Sequence, residues 1–183
     1  LVGLGNPTPN SKNNRHNVGF KIVDAINQKF GLSKQKPKFK GLLTTGTIAD
    51  KKIYAIKPLT FMNNSGICIR ELLEYFKMDA EDVIVFHDDL DVEFGKIKAK
   101  FGGSNAGHNG IASIDKFIGK DYSRVRIGIG KPENKTSVSD YVLNDFSDDE
   151  QEHLEKITSN IIDSLSILID KKLDLFSSTV NNN

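Results

Sequence analysis

Leu1-Val-Gly-Leu-Gly-Asn-Pro7 opens the chain, and Arg15-His16-Asn17 follows it across a loop rich in proline and asparagine. An apolar run that ends in two glycines and an amide reads as a buried strand stopping at a site. Asn6, His16 and Asn17 are then delivered to one end of a sheet, where open α/β sheets bind ligands. Val18, Ile22, Ile26 and Phe30 recur at four-residue spacing, so a helix over Val18–Phe30 follows the strand, with Gly31 placed to end it.

Outward from this start the pattern alternates. Phe39–Ala49 and Lys52–Lys57 read as two strands joined at Asp50-Lys51, then Ile67–Lys77 as a helix. Val83–Phe86 is a short apolar strand ending at His87-Asp-Asp-Leu-Asp91. Lys96–Phe101 alternates lysine and apolar residues like a half-exposed strand. Asn109–Ile118 reads as a helix and Val125–Ile129 as a strand. Ser147 and Glu150 form a capping-box signal for a long final helix over Asp148–Lys172. Alternating strands and helices give an α/β layered domain, and the hairpin near Asp50 makes its sheet mixed.

With 183 residues, 38% apolar and 27% charged, the chain fits one folded domain rather than a disordered segment. No run of 18 apolar residues exists, so no membrane span is expected. The chain starts inside a strand, so residues before Leu1 are expected. The single cysteine, Cys68, has no internal disulfide partner, which fits a reducing, cytoplasmic setting. Residues 1–60 hold 11 Lys/Arg against 2 Asp/Glu, a net +9, whereas residues 133–183 hold 4 against 11, a net −7. Such asymmetry suits a face that attracts a polyanion; lysines scattered over solvated faces are the competing explanation.

The chemistry-bearing residues fall in clusters. Gly3-Leu-Gly5 lacks the third glycine of a dinucleotide fingerprint, since position 8 is Thr8. His16 is a candidate general base, and its second nitrogen needs an orienting acceptor, for which Asp88 is the best placed. Asn63, in Phe61-Met62-Asn63, and Asn109, in Gly107-His108-Asn109-Gly110, are candidate donors to a developing oxyanion, or else helix caps. His108 is a candidate support for Asn63 or a contact for phosphate or ribose. His87–Asp91 also has the composition of a hard-metal site. Lys96, Lys98 and Lys100 on one strand face, and Arg124 and Arg126 on another, are candidate phosphate contacts; the lysines equally suit a guarded edge strand.

The ordered set Val2-Gly-Leu-Gly-Asn-Pro7, Arg15-His-Asn-Val-Gly19, Lys57-Pro-Leu-Thr-Phe-Met-Asn63-Asn-Ser-Gly66, His87-Asp-Asp-Leu-Asp91, Gly102-Gly-Ser-Asn-Ala-Gly-His-Asn-Gly110, Arg124-Val-Arg-Ile-Gly-Ile-Gly130 and Asp140-Tyr-Val-Leu143 resembles the bacterial-type peptidyl-tRNA hydrolases. The resemblance runs from Leu1 to about Phe146. It implies a compact monomer: a single three-layer domain with a twisted mixed β-sheet flanked by helices, over residues 1–176, with 177–183 a frayed tail. It implies an enzyme that cleaves the ester between a peptide and tRNA, recycling tRNA from stalled translation. His16 would be the general base and Asp88 its partner, with Asn6 discriminating peptidyl from free aminoacyl ends. Phe61, Asn63 and Asn109 would contact substrate; the residue chemistry and charge pattern above add His108, Lys98, Lys100 and Arg126 as substrate or tRNA contacts. No metal, organic cofactor, membrane or obligate protein partner is implied.

Two positions depart from that pattern. Thr8 stands where the family has glycine, and Ser11 where it has a tyrosine able to stack on the substrate's 3′ end. Ser11 is carried as a substrate-binding position with a changed side chain. Two other readings compete: a non-catalytic RNA-binding member of the same fold, and a metal-dependent phosphohydrolase using His87–Asp91.

Overall fold

The computed structural model describes residues 1–132 and 136–183. Among them seven strands form one sheet: β1 (Val2–Gly3), β2 (Lys36–Lys38), β3 (Gly41–Ile48), β4 (Lys51–Pro58), β5 (Ile84–Asp89), β6 (Ile97–Phe101) and β7 (Ser123–Gly128). Their order is β2-β3-β4-β1-β5-β7-β6. The central four, β4, β1, β5 and β7, are parallel neighbours, and antiparallel strands close both edges. The sheet is mixed, as expected, and the α/β class holds.

Among the described residues seven helices flank it: α1 (Val18–Lys29), α2 (Ser65–Phe76), α3 (Asn109–Ile118), α4 (Val138–Leu143), α5 (Asp148–Asp163), α6 (Leu165–Ile169) and α7 (Leu173–Asn182). Successive residues of a strand face opposite sides, and here both sides are buried. Ile84 and Phe86 of β5 join the core under α1, α5, α6 and α7, while Val83 and Val85 join the core under α2 and α3. Three layers result. Among the described residues no helix is long and apolar enough to cross a membrane.

Several boundaries differ from the sequence reading. Phe39 and Lys40 form a tight turn with φ of +52° and +54°, so β3 starts at Gly41 and a short extra strand, β2, precedes it. The next turn is Ala49-Asp50, also with positive φ at both positions, not Asp50-Lys51. These are the mirror-image turns that suit hairpin twist, made here without the glycine or asparagine that would announce them. β5 extends to Asp89, so His87 and Asp88 lie on the strand rather than beyond it.

The long helix expected over Asp148–Lys172 is two helices, α5 and α6, and α7 follows it. The capping box forms as expected: Glu150 N donates to Ser147 Oγ (3.2 Å) and Ser147 N to Glu150 Oε2 (2.8 Å). The chain then turns at buried Ser164 and at Lys171, whose φ is +60°. This return lays α7 along β6 and buries Phe176 and Val180. The expected frayed tail at 177–183 is instead mostly α7. Asn181 Nδ2 donates to Ile97 O (2.8 Å), Ile97 N donates to Asn181 Oδ1 (2.9 Å), and Ala99 N donates to Ser177 Oγ (2.8 Å). Side chains of a helix thus satisfy the open backbone of an edge strand.

Candidate active site

The site lies beyond the carboxyl ends of β1 and β5. Two glycines make it possible. A Cβ on Gly19 would lie 2.3 Å from Phe86 O, and one on Gly3 would lie 2.3 Å from Gly19 O. With neither present, the start of α1 rests directly on the β1 and β5 backbones. The turn Arg15–Asn17 that precedes α1 is thereby carried to the end of β5.

Asp88 is at the centre. On β5 it alternates with His87, and it is buried. His16 Nδ1 lies 2.9 Å from both Asp88 oxygens, and His108 Nε2 lies 2.9 Å from Oδ1. The ionised carboxylate can only accept, so His16 carries its proton on Nδ1 and turns the Nε2 lone pair outward. His108 is the N-cap of α3: its Nδ1 accepts from Gly110 N (3.1 Å) and Ile111 N (3.3 Å). That nitrogen has no proton to give, so the ring proton is on Nε2 and is donated to Asp88. Burial alone would push the Asp88 carboxyl up, but the His108 and His16 imidazoles and their hydrogen bonds hold it well below the usual carboxylate range.

Asn6 is set by its neighbours. Asn6 N donates to Asn17 Oδ1 and Asn17 Nδ2 donates to Asn6 O, both at 2.9 Å. Asn6 Oδ1 accepts Met62 N at 2.9 Å, which leaves its Nδ2 for the cleft. Phe61, just before Met62, has φ +60° and ψ 160°, a conformation that side chains resist. A cleft of about 660 Å³ is lined by Asn6, His16, Phe61, Met62, Asn63, Asp88, His108, Asn109 and, on its far wall, Val138, Val142 and Leu143 of α4. Asn63 and Asn109 reach it with no hydrogen bond to their side chains among the described residues. Asn109 is not the cap of α3, and the 3-10 turn holding Asn63 has no side-chain cap.

Other positions lie elsewhere. Ser11 is buried in a 3-10 turn, with its hydroxyl bonded to Thr8, and does not line the cleft. This corrects its placement as a substrate contact. The small hydroxyl turns inward to its own loop. Lys98 and Lys100 stand across from Arg126 and Arg124 on adjacent strands. Lys98 is exposed and Lys100 half-buried; burial, then Arg126 and Arg124, push the Lys100 ammonium down. Arg126 pairs with Asp89 through Nε (2.7 Å) and Nη2 (3.2 Å). Arg124 is 1% exposed, bonded to Asp115 and Ser104 O, so it is no phosphate contact.

His87–Asp91 does not converge as a metal site. His87 Nδ1 donates to Asp88 O (2.7 Å), Asp89 goes to Arg126, and Asp91 to Lys131. Burial, then neighbouring His108, push His87 down to about 3. His16, Asp88 and His108 do offer ligand atoms within 4.8 Å of one another. Two imidazoles and a carboxylate could hold a divalent ion, although here their donors and acceptors satisfy one another. The sequence reading passed over two features: the Asn17 staple, signalled only by its place beside His16, and the His108–Asp88 bond.

The arrangement presents a lone pair to the cleft beside several amide donors, a set suited to proton transfer next to a polarised carbonyl. The model of the peptidyl-tRNA hydrolase family matches residues 1–183. A peptidyl-tRNA hydrolase of Pelagibacter ubique (strain HTCC1062) is 82% identical over 182 residues, covering 100% of this chain and 98% of the relative. One from a Wolbachia species of Drosophila simulans is 48% identical over 88% of this chain and 90% of its own. The crystal structure of peptidyl-tRNA hydrolase from Acinetobacter baumannii superposes with a TM-score of 0.91 at 33% identity, covering 98% of this chain and 92% of that one. With the fold, the cleft and these likenesses in agreement, the chain belongs to the peptidyl-tRNA hydrolase family.

Proposed function

We propose that this enzyme hydrolyses the ester between a peptide's carboxyl end and the terminal ribose of tRNA, as a monomer in the cytoplasm. The observation that carries the mechanism is the His16–Asp88 contact, which aims the His16 Nε2 lone pair into a cleft also lined by Asn6, Asn63 and Asn109. His16 takes a proton from water as that water attacks the ester carbonyl, and Asp88 balances the imidazolium. Asn63 and Asn109 donate amide N–H bonds to the oxyanion. The ribose oxygen leaves with the proton returned by His16, and the new peptide carboxylic acid loses its remaining proton to solvent and departs as a carboxylate. Asn6 Nδ2 is aimed to contact the peptide portion, which a free aminoacyl ester lacks.

Lys98 and Lys100 follow the tRNA phosphates, with Arg126, shared with Asp89, behind them. Phosphate contacts suit an enzyme that must accept many tRNA sequences. The test is to offer N-acetyl-aminoacyl-tRNA and free aminoacyl-tRNA side by side, with and without a chelator. Selective, chelator-resistant release of tRNA from the blocked ester is expected. Binding without release would favour a non-catalytic RNA-binding protein, and loss of activity with chelator a metal-dependent one.

A further inference from the structure

The far wall of the cleft, α4, has six residues and buries one side chain, Val142. A helix this short does not hold itself. It is held by Arg15, the neighbour of His16. Arg15 Nη1 donates to Asn144 O (3.3 Å) and Asp145 O (2.9 Å), and Nη2 donates to Glu150 Oε2 (2.7 Å). The guanidinium carbon lies 4.4 Å from the Tyr141 ring centroid and 5.4 Å from that of Phe146. Arg15 N also donates to Asn144 O (3.1 Å), and Asn14 Nδ2 to Asp145 Oδ1 (2.7 Å). Tyr141 in turn donates its hydroxyl to Ile129 O (2.6 Å). One buried side chain therefore grips the end of α4, and through Glu150 the start of α5, from the turn that carries His16.

The wall so held is mostly apolar. Val138 is 53% exposed and Leu143 45%, and both line the cleft. Apolar groups at the rim of a cleft gain by covering an apolar side chain of the occupant.

We propose that Arg15 is a positioning residue for substrate selection: it fixes α4 relative to His16, so that Val138, Val142 and Leu143 stand against the side chain of the amino acid esterified to tRNA. The inference rests on the hydrolase reading above. Lysine cannot replace the arginine, because it lacks the planar fork and the stacking face.

The test measures kcat and KM on N-acetyl-leucyl-tRNA and N-acetyl-glycyl-tRNA for the wild type, Arg15→Lys, Val138→Ser and Leu143→Ser. In Arg15→Lys, KM for the leucyl ester should rise about tenfold more than KM for the glycyl ester, the scale expected when an apolar side chain loses its contacts. The change should appear in KM rather than kcat, with the pH profile of kcat unmoved. The two serine variants leave the Arg15 bonds in place and should reproduce the selective rise. They carry the test if a thermal melt finds Arg15→Lys unfolded. Equal losses on both esters, a fall in kcat alone, or serine variants that treat the esters alike would overturn the proposal. A wild type inactive on both esters would remove the hydrolase reading itself.

Discussion

Asn17 bonds both polar groups of the Asn6 backbone, and Met62 N fixes the Asn6 amide, so neighbouring residues set the aim of that amide into the cleft. At this scale three expectations follow. Asp88→Asn removes an acceptor shared by two imidazoles and loses control of the His16 tautomer; kcat/KM should fall about 10²–10⁴-fold. A rate near that of the wild type would count against the role given to Asp88. Phe61 pays about 1–3 kcal/mol for its backbone, so Phe61→Gly should melt above Phe61→Ala by roughly 2–12 °C, although both lose activity with the ring. Equal melting temperatures would mean the conformation carries no strain. His87 sets an acid sensitivity. Unfolded, it binds a proton near its ordinary 6.5; folded, only near about 3. The unfolded state binds more protons in that window, so stability is full above it and falls as pH drops through it. Asp88, held below its ordinary 3.8 when folded, adds slope of the same sign only below about pH 5, so the span from pH 7 to 5 isolates His87. Denaturant melts at about pH 7 and 5 should differ less for His87→Asn than for the wild type; identical differences would contradict this. His16 and Asp88 were legible in sequence because an imidazole in a polar loop and a carboxylate at the end of an apolar strand announce chemistry. The Phe61 strain and the inward turn of Ser11 were not, because they depend on backbone angles and burial.

At the level of elements, α1 and α3 were legible from apolar spacing nearly to the residue. What escaped was how each end is made. The cap of α3 is His108, not Asn109, and a histidine is a weak cap signal. The β2–β3 and β3–β4 turns use Phe39-Lys40 and Ala49-Asp50, types that do not advertise positive φ. The break at Ser164 and the return of α7 depend on β6 needing cover, a tertiary demand that no local pattern records. That demand gives a prediction. Asn181→Ala leaves Ile97 N and O without their partner and should destabilise by about 1–3 kcal/mol, read as a lower urea midpoint. An unchanged midpoint would mean that α7 covers β6 by apolar packing alone.

Across the whole molecule, charge and topology act together. The parallel strands deliver Asn6 and Asp88 to one end, α1 and α3 bring a histidine each, and the lysines of β6 stand on an outer strand of the same sheet. The α/β class, the mixed sheet and the convergence of positions 6, 16, 63, 88 and 109 were legible because the ordered motifs each end an element at a polar residue. The Arg15 grip on α4 was not, because it joins segments 130 residues apart. With about three phosphate contacts, tRNA affinity should fall roughly 40-fold between 50 and 200 mM salt; a flat response would remove the lysines from the account. The most direct measurement is single-turnover hydrolysis of N-acetyl-aminoacyl-tRNA by His16→Ala, with tRNA binding followed in parallel. The rate should fall by about 10²–10⁴-fold or more with binding retained; hydrolysis at the wild-type rate would contradict the role of His16 as general base.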